Sequence, residues 1–572
     1  MKRVIFYTLS LLIAEAIFAG GTLQNQWFVQ QTNTRAQGDY VSATSGGGQY
    51  ITTNKYYAFF IEVPPSSPRL VVQIFDPNIF ELTSGTIGER QNGGAWDTQT
   101  NYVLLNPSGA ILATLTGNNS STNNQQWVTL ADINNPQNGH WELRVSVITG
   151  DDVNIYGVRA HDSDPSADGR EYNVYAESYL GLGHRGSPIP NPKSHLFYPY
   201  VIRGCGFRSM DFDNDNNSLS QIQFASVDGS YNVTIPYTLM SGSASAAGTG
   251  NNGWAFNFIT YPNFSGLYGL WTQNVAIGDE NQVTCLVTDD GHPADAPTSQ
   301  PEPGSFRLYL PTDAGSKPTK PQVTQNLTHV SGPNPPAQGL TTVYTLTFTI
   351  QNQTPYPITF STPNRTFRSF VPGVTSNANV TFQGNLVVTQ GSIVSQPSIG
   401  GSGIVEWNPG SVSAFTNASI SYRVAVTPTA CPNQIALTGS GVNATQFTFL
   451  DETANATQAR ATLTFGGLCQ LQTPSCIVPS AGSVTVQGRV IGSNGRYVAN
   501  AAVYLTDASG NTQFTLTNAF GYFRFLNVPA GEVYFFEVAS KRQTFPTASV
   551  YIAEDIYITF TPNGFVIGKI YY

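Results

Sequence analysis

A strict alternation of side-chain types is the feature of this sequence that most limits its fold. In TTVYTLTFTIQNQT, residues 341–354, apolar side chains occupy every second position and threonines fill most of the positions between them. The apolar positions are Tyr344, Leu346, Phe348 and Ile350. Because successive side chains of a β-strand point to opposite faces, this period of two predicts a strand with one buried and one solvated face.

The same pattern recurs along the chain. Short alternating runs are separated by polar turns through the first 180 residues, as in HWELRVSVI at 140–148. Charged residues make up only 11% of the sequence and aromatic residues 12%, which favours strands over helices. A chain of 572 residues is also too long for a single core. We therefore predict an all-β protein of tandem β-sandwich domains with immunoglobulin-like or jelly-roll-like architecture.

Breaks in the pattern divide the chain into an export segment and four β-units. Lys2 and Arg3 precede an apolar run and then small residues, as in a cleavable signal peptide over residues 1–19. The alternative, a retained membrane anchor, needs about 20 apolar residues, more than this run holds. The expected location is therefore secreted or at the cell surface. The predicted units cover residues 21–185, 193–312, 313–478 and 480–562.

Five cysteines in an exported protein favour disulfide bonds. We predict one bond between Cys205 and Cys285, which would close the second unit. Two of the remaining three are expected to pair in the third unit, and the sequence leaves their connectivity open. These remaining cysteines are Cys431, Cys469 and Cys476. None of the five has the spacing of zinc ligands.

Two clusters of closely spaced aspartates are candidate calcium ligands, because calcium prefers carboxylate oxygens. They comprise Asp162, Asp164 and Asp168 in HDSDPSADG, and Asp211, Asp213 and Asp215 in DFDNDNN. The second cluster departs from an EF-hand loop, since Asn216 stands where glycine is needed and Ile222 where glutamate is needed. For both clusters the alternative is a solvated Asn/Asp turn.

Motifs for catalysis and for nucleic-acid binding are missing from the sequence. The six histidines are scattered, and there is neither an H-E-x-x-H pattern nor a G-x-S-x-G pattern. The net charge of −9 and the lack of a basic cluster exclude a nucleic-acid partner. We predict that the protein is not an enzyme.

The last unit carries the most specific resemblance. GRVIGSNGRYVANAAVYLTD, followed by TNAFGYFRFLNVPAGEVYFFEV, closely resembles the carboxypeptidase regulatory-like domain, a small transthyretin-like β-sandwich. The resemblance implies an accessory module and not a catalytic domain.

Alternation within this unit predicts which side chains form its core. Phe523 and Phe525 are expected to be buried, whereas Tyr522 and Arg524 are expected to face outward. With Tyr534, the two outward residues are the remaining candidates for a ligand surface.

Two weaker resemblances concern the other units. YTLTFTIQNQTPYPIT and IVEWNPGSVSAFTNASISYRVAV, within residues 325–470, resemble the bacterial surface repeat domain called DUF11, which implies an immunoglobulin-like spacer. TNYVLLNPSGAIL and NGHWELRVSV make the first unit similar in fold to prepeptidase C-terminal and convertase P-type β-sandwiches.

These observations favour a non-catalytic structural or adhesive protein of a bacterial cell surface or extracellular matrix. One alternative is a carbohydrate- or protein-binding surface module, in which Trp127 or Trp254 stacks on sugar rings. A second alternative is a secreted hydrolase with a site in residues 21–311. The expected partners are a surface polysaccharide or protein, calcium is the candidate cofactor, and no transmembrane segment is expected after signal cleavage.

Overall fold

The structure, a computed structural model, is almost entirely β. It describes residues 28–30, 56–80, 95–124, 126–150, 152, 154–162, 171–176, 180–183, 193–202, 206–212, 220–239, 254–260, 268–277, 282–288, 307–311, 318–453, 462–477, 482–507 and 509–569. The helices in these ranges are two single 3₁₀ turns, Tyr237–Leu239 and Gly441–Asn443. None of the described helices is long and apolar enough to cross a membrane. The predicted all-β class is confirmed.

The N-terminal two-sheet unit comprises strands β1 to β19, in an 8-stranded and an 11-stranded sheet. In chain order its strands are β1 Phe28–Gln30, β2 Tyr57–Val63, β3 Arg69–Phe75, β4 Gln99–Leu105, β5 Ile111–Gly117, β6 Trp127–Asn134, β7 Gly139–Thr149, β8 Asn154–His161, β9 Asn173–Ala176, β10 Leu180–Gly183, β11 Lys193–Val201, β12 Gly206–Phe212, β13 Gln221–Ala225, β14 Asn232–Pro236, β15 Trp254–Thr260, β16 Gly269–Leu270, β17 Thr272–Ile277, β18 Gln282–Thr288 and β19 Arg307–Tyr309. The sheet orders are β15-β12-β18-β10-β1-β8-β3-β6 and β14-β13-β17-β11-β19-β9-β2-β7-β4-β5, with β16 paired to β11.

The predicted boundary between residues 185 and 193 does not divide these sheets. Strand β10 pairs with β18, and β19 lies between β9 and β11. Trp141 and Trp271, from the two predicted units, belong to one apolar core. The prediction of separate sandwiches over 21–185 and 193–312 is therefore corrected to one unit with two shared sheets. Alternation identifies a strand and its buried face, but it does not identify the neighbouring strand.

The third unit is a β-sandwich of a 6-stranded and a 7-stranded sheet. Its strands are β20 Gln322–Ser331, β21 Thr342–Gln351, β22 Ile358–Thr359, β23 Phe367–Val371, β24 Gly373–Val374, β25 Ala378–Phe382, β26 Val387–Val388, β27 Ser392–Ser395, β28 Gly403–Asn408, β29 Ser411–Val412, β30 Asn417–Pro428, β31 Gln446–Asp451 and β32 Thr462–Phe465. The sheet orders are β20-β21-β30-β25-β24, with β26 on β30, and β27-β28-β23-β31-β22-β29, with β32 on β31. Strand β21 is the alternating segment, and burial alternates along its whole length, as predicted.

The C-terminal domain is a sandwich of two 4-stranded sheets. Its strands are β33 Ser483–Val490, β34 Ala502–Thr506, β35 Thr512–Leu516, β36 Tyr522–Pro529, β37 Glu532–Ala539, β38 Ala548–Ile552, β39 Ile556–Thr561 and β40 Gly564–Lys569. The sheet orders are β36-β33-β39-β40 and β35-β34-β37-β38. Strand β40 extends the domain beyond the predicted end at residue 562.

Burial in the C-terminal domain follows the predicted alternation, with one exception. Phe523 and Phe525 are each 4% exposed, whereas Tyr522 is 39% exposed and Arg524 is exposed. Tyr534, expected at the surface, is instead buried in the core. Its ring packs with the apolar cluster, and its hydroxyl donates a hydrogen bond to the Pro529 carbonyl at 3.0 Å. The apolar ring of a tyrosine can lie in a core while its hydroxyl keeps a hydrogen-bond partner.

Candidate functional site

Four charged side chains are buried together where the N-terminal two-sheet unit meets the third sandwich. Glu62 lies on β2 and Arg307 on β19 of the first unit, while Lys320 precedes β20 and Asp451 ends β31 of the third. Their side chains are between 1% and 8% exposed. Charged residues are seldom buried without partners. We call this group the junction cluster.

Opposite charges within the junction cluster contact one another. Arg307 Nη1 lies 3.2 Å from Glu62 Oε1 and 3.2 Å from Asp451 Oδ2. Lys320 Nζ donates a hydrogen bond to Glu62 Oε2 and lies 3.9 Å from Asp451 Oδ2. Each carboxylate therefore faces both cations, and the four formal charges sum to zero. Such mutual pairing offsets the cost of removing the four ions from water.

Neutral donors and aromatic rings surround the paired charges. The Tyr309 hydroxyl donates to Glu62 Oε1 at 2.5 Å, and Asn173 Nδ2 donates to Glu62 Oε2 at 3.2 Å. The Lys320 ammonium lies 5.1 Å from the centre of the Tyr309 ring, and the Arg307 guanidinium lies 4.9 Å from that of Tyr175. These neutral groups all come from strands β9 and β19 of the N-terminal unit and contact Glu62, Arg307 and Lys320.

Electrostatic interactions keep Asp451 and Arg307 of the junction cluster ionised. Burial alone would raise the pKa of Asp451, but the Lys320 and Arg307 cations hold that pKa well below its ordinary value. Burial alone would lower the pKa of Arg307, but its tyrosine and carboxylate neighbours keep that pKa well above its ordinary value. Burial, together with the Glu62 charge, raises the pKa of the Tyr309 hydroxyl well above its ordinary value. At neutral pH Asp451 is therefore a carboxylate, Arg307 a cation and Tyr309 a protonated hydroxyl donor.

An apolar core shared by both units encloses this cluster. Tyr200 of β11 and Phe465 of β32 meet edge to face, with ring centroids 5.4 Å apart. The Gly466 amide donates to the Ile202 carbonyl at 2.8 Å. The Cys469 amide donates to the Tyr268 hydroxyl at 2.6 Å. The two units therefore meet through apolar packing and backbone hydrogen bonds as well as through the buried charges.

One subset of residues here has the composition of a metal site. The ligand atoms of Glu62, His140 and Asp451 all lie within 4.8 Å of one another. However, Arg307 and Lys320 already contact both carboxylates, and a divalent cation beside them would meet strong repulsion at low dielectric. The geometry favours an ion-pair network over a metal centre.

Sequence reasoning missed the junction cluster, although two of its members carried a local signal. Glu62 stands in the apolar run YAFFIEV and Arg307 in the short strand FRLYLP. A charge within such an apolar strand indicates either an exposed edge or a buried partner. The partners are far away in the chain, so the sequence did not reveal them.

The predicted calcium ligands are only partly within the described residues. Asp162 follows β8 and is half-buried. Asp211 lies in the ladder of β12, opposite Ala255 and Cys285, so it is a strand residue and not the first position of a loop. The other four aspartates, Asp164, Asp168, Asp213 and Asp215, lie outside the described residues. Calcium binding stays a prediction.

A disulfide joins Cys431 and Cys476, so two of the last three cysteines pair as expected. Cys469 also forms a disulfide. Cys205 and the Cys285 side chain lie outside the described residues, and their predicted bond stays untested there. Because each cysteine joins only one disulfide, the Cys469 bond and a Cys205–Cys285 bond cannot both form.

Trp127, one of the two tryptophans proposed for sugar stacking, is half-buried, and neighbouring side chains contact its ring. Trp127 begins β6, and the Arg159 guanidinium lies 3.9 Å from the centre of its ring. Phe75 packs edge-on against the same ring at 5.4 Å. The side chain of Trp254 lies outside the described residues. Trp127 is therefore part of the packing of the N-terminal unit.

Comparison with known proteins identifies a family match within the C-terminal domain. Residues 485–555 match the family model of the carboxypeptidase regulatory-like domain, within the C-terminal domain. The search of curated proteins finds no match.

Among solved structures, BcpA, the major pilin subunit of Bacillus cereus, is similar at 11% identity, with 62% of this chain and 99% of that chain covered and a TM-score of 0.17. The T6 backbone pilin of Streptococcus pyogenes is similar at 14% identity, with 63% and 80% covered and a TM-score of 0.17. The pilus adhesin RrgA of Streptococcus pneumoniae is similar at 10% identity, with 38% and 33% covered and a TM-score of 0.13. Likeness at these TM-scores is not evidence for a shared function.

Proposed function

We propose that this protein is a non-catalytic structural or adhesive component of a cell surface or extracellular matrix. In this role the N-terminal two-sheet unit and the third sandwich act as one rigid element. The observation that carries the proposal is the junction cluster, in which Glu62 and Arg307 from one unit are neutralised by Lys320 and Asp451 from the other.

The physical basis for rigidity is that buried charges tolerate only one arrangement. The hydrophobic effect has no direction, so burial of apolar surface alone specifies the orientation of two units only weakly. Sliding the units would separate Lys320 from Glu62 and Arg307 from Asp451 and leave four buried ions without partners. We attribute to these buried ion pairs a role in fixing the arrangement of the two units rather than in adding net stability.

Two further observations support a non-catalytic role outside the cell. The Cys431–Cys476 disulfide fits an oxidising compartment, as does the predicted signal peptide. The ionisable groups of the junction cluster contact one another in the interior, whereas a hydrolase needs such groups beside a cleft that admits substrate.

The test measures whether the N-terminal two-sheet unit and the third sandwich unfold and move independently once the four buried charges are removed. A variant with Glu62→Gln, Arg307→Met, Lys320→Met and Asp451→Asn removes the four charges and, except at Arg307, keeps the side-chain volumes nearly unchanged. We expect native protein to unfold the two units in one calorimetric transition. The variant should unfold them in two transitions and show a larger radius of gyration in small-angle X-ray scattering.

The matched control is Lys541→Met, which removes an exposed lysine of the C-terminal domain. This control should leave both the calorimetric trace and the scattering unchanged. If the four-residue variant still unfolds its two units together with native scattering, the charges do not set the orientation and the proposal fails.

A further inference from the structure

The outer face of the sheet β36-β33-β39-β40 in the C-terminal domain carries an ordered set of aromatic and cationic side chains. Its first row, read across the strands, is Arg524, Gln487 and Tyr557. Its second row is Tyr522, Arg489, Thr559 and Val566. Side chains directly opposite on neighbouring strands lie about 5 Å apart. We call this set the aromatic face.

Arg489 is held rigidly at the centre of the aromatic face. Its guanidinium lies 3.9 Å from the centre of the Tyr522 ring and 4.5 Å from that of Tyr497. Its Nη1 also donates to the Tyr497 hydroxyl at 3.0 Å. The Tyr522 ring in turn meets Tyr557 edge to face at 6.5 Å. Stacked, hydrogen-bonded side chains lose little conformational entropy when a ligand binds.

Rings in this set are accessible. Tyr497 is 47% exposed and Tyr522 is 39% exposed, while Val566 at the edge is 70% exposed. Tyrosines that only pack a core are covered, as Tyr534 of the same domain is. The aromatic face therefore presents apolar ring surface to solvent beside fixed hydrogen-bond donors.

The charged side chains within the two rows of the aromatic face, Arg489 and Arg524, are both cationic. One carboxylate, Asp555, lies just before β39, beyond the first row, and accepts a hydrogen bond from the Thr485 amide at 2.6 Å. The chain as a whole carries a net charge of −9. A local cationic surface on an acidic protein attracts anionic partners that the rest of the surface repels.

We propose that the aromatic face binds an acidic polysaccharide. The two guanidiniums pair with uronate carboxylates. The ring surface of Tyr497 and Tyr522 that the Arg489 guanidinium does not cover packs on the apolar faces of pyranose rings. The four strands span about 14 Å across the face, which suits an extended chain of several sugar units. This binding role goes beyond the proposed structural function and does not depend on the junction cluster.

Sugar is favoured over nucleic acid by the small number of cations. Nucleic-acid sites neutralise many phosphates, whereas this face offers two arginines together with the neutral donors Gln487 and Thr559. Uronate chains supply a carboxylate only once or twice per repeat, with hydroxyls between, which matches this mixture.

The test uses the full chain and isothermal titration calorimetry at fixed salt. The probes are polygalacturonate, alginate and hyaluronate, with dextran as the neutral polysaccharide and poly(dT) as the nucleic acid. We expect binding to at least one uronate polymer and none to dextran. Arg524→Gln and Tyr522→Ala should each weaken that binding at least tenfold. Thermal unfolding of both variants verifies that the domain still folds.

The matched control is Phe514→Ala, which removes a 66% exposed ring from the other sheet of the same domain. Its affinity should equal that of the native protein. The proposal is overturned if no uronate polymer binds, if dextran or poly(dT) binds as tightly, or if the control weakens binding as much as Tyr522→Ala.

Discussion

Lys320 and Glu62, 258 positions apart in the sequence, form an ion pair in which each side chain is only 1% exposed. One belongs to the third sandwich and the other to the N-terminal two-sheet unit. The pair therefore ties together two parts of the chain at a point that solvent does not reach. Such a contact responds sharply to substitution, because neither charge has water as an alternative partner.

Replacing Lys320 by methionine should destabilise the protein by about 3–5 kcal/mol, since Glu62 and Asp451 would then share a single cation in the interior. Urea unfolding followed by tryptophan fluorescence measures the change. Lys541→Met, at an exposed position, should alter the free energy of unfolding by less than about 0.5 kcal/mol. Equal effects of the two substitutions would show that the buried pairing contributes nothing.

Acid should weaken the junction through Asp451. The native pKa of this carboxyl lies below its ordinary value of 3.8, so the unfolded chain binds its proton first as the pH falls. The stabilisation is complete well above pH 3.8 and is lost as the pH falls through the lower, native value. The difference in unfolding free energy between native protein and Asp451→Asn should therefore shrink below about pH 4. A difference that stays constant from pH 7 to pH 2.5 would contradict this assignment.

Phe523 and Phe520 offer a matched pair in one short stretch of the C-terminal domain. Phe523 is 4% exposed, whereas Phe520 is 64% exposed. Phe523→Ala should cost about 3–5 kcal/mol through lost burial and the cavity left behind, and Phe520→Ala should cost under about 0.5 kcal/mol. The free energies of unfolding of the two variants test this difference. If Phe523→Ala costs no more than Phe520→Ala, the core around Phe523 does not form as described.

Gly521 and Gly495 both have a φ of +72°, but their surroundings differ. A Cβ on Gly521 would lie 2.6 Å from the Val490 carbonyl oxygen, while a Cβ on Gly495 meets nothing within 4 Å. Gly495→Ala should therefore cost only the left-handed backbone strain of about 1–2 kcal/mol. Gly521→Ala should cost distinctly more, as thermal unfolding of the two variants can measure. If the two substitutions cost equal free energies of unfolding, the Val490 carbonyl oxygen does not contact a Cβ at position 521 as described.

The disulfides can be mapped by mass spectrometry of peptides digested without reduction. Cys431 and Cys476 should appear in one linked pair of peptides. The peptide that contains Cys469 should be linked to the peptide with Cys205 or the one with Cys285, because Cys469 is disulfide-bonded and Cys431 and Cys476 bond each other. A linked Cys205–Cys285 pair with a free Cys469 thiol would contradict this expected pairing.

Local pattern was enough to predict much of the fold. The buried face of β21 and the burial of Phe523 and Phe525 follow from a period of two, because each side chain's face depends only on its position in its own strand. The C-terminal domain was likewise recognisable from contiguous residues, and its family match covers 485–555.

Tertiary structure alone decided which strands are neighbours and which charges meet. The pairing of β10 with β18 joins two predicted units. The side-chain alternation in either strand does not indicate which strand lies next to it. The position of Glu62 in an apolar run indicates a partner but does not identify it, and only the packing of two units places Lys320 against Glu62 away from water. Side-chain periodicity is a property of neighbouring residues, whereas pairing and burial depend on the free energy of the whole folded chain.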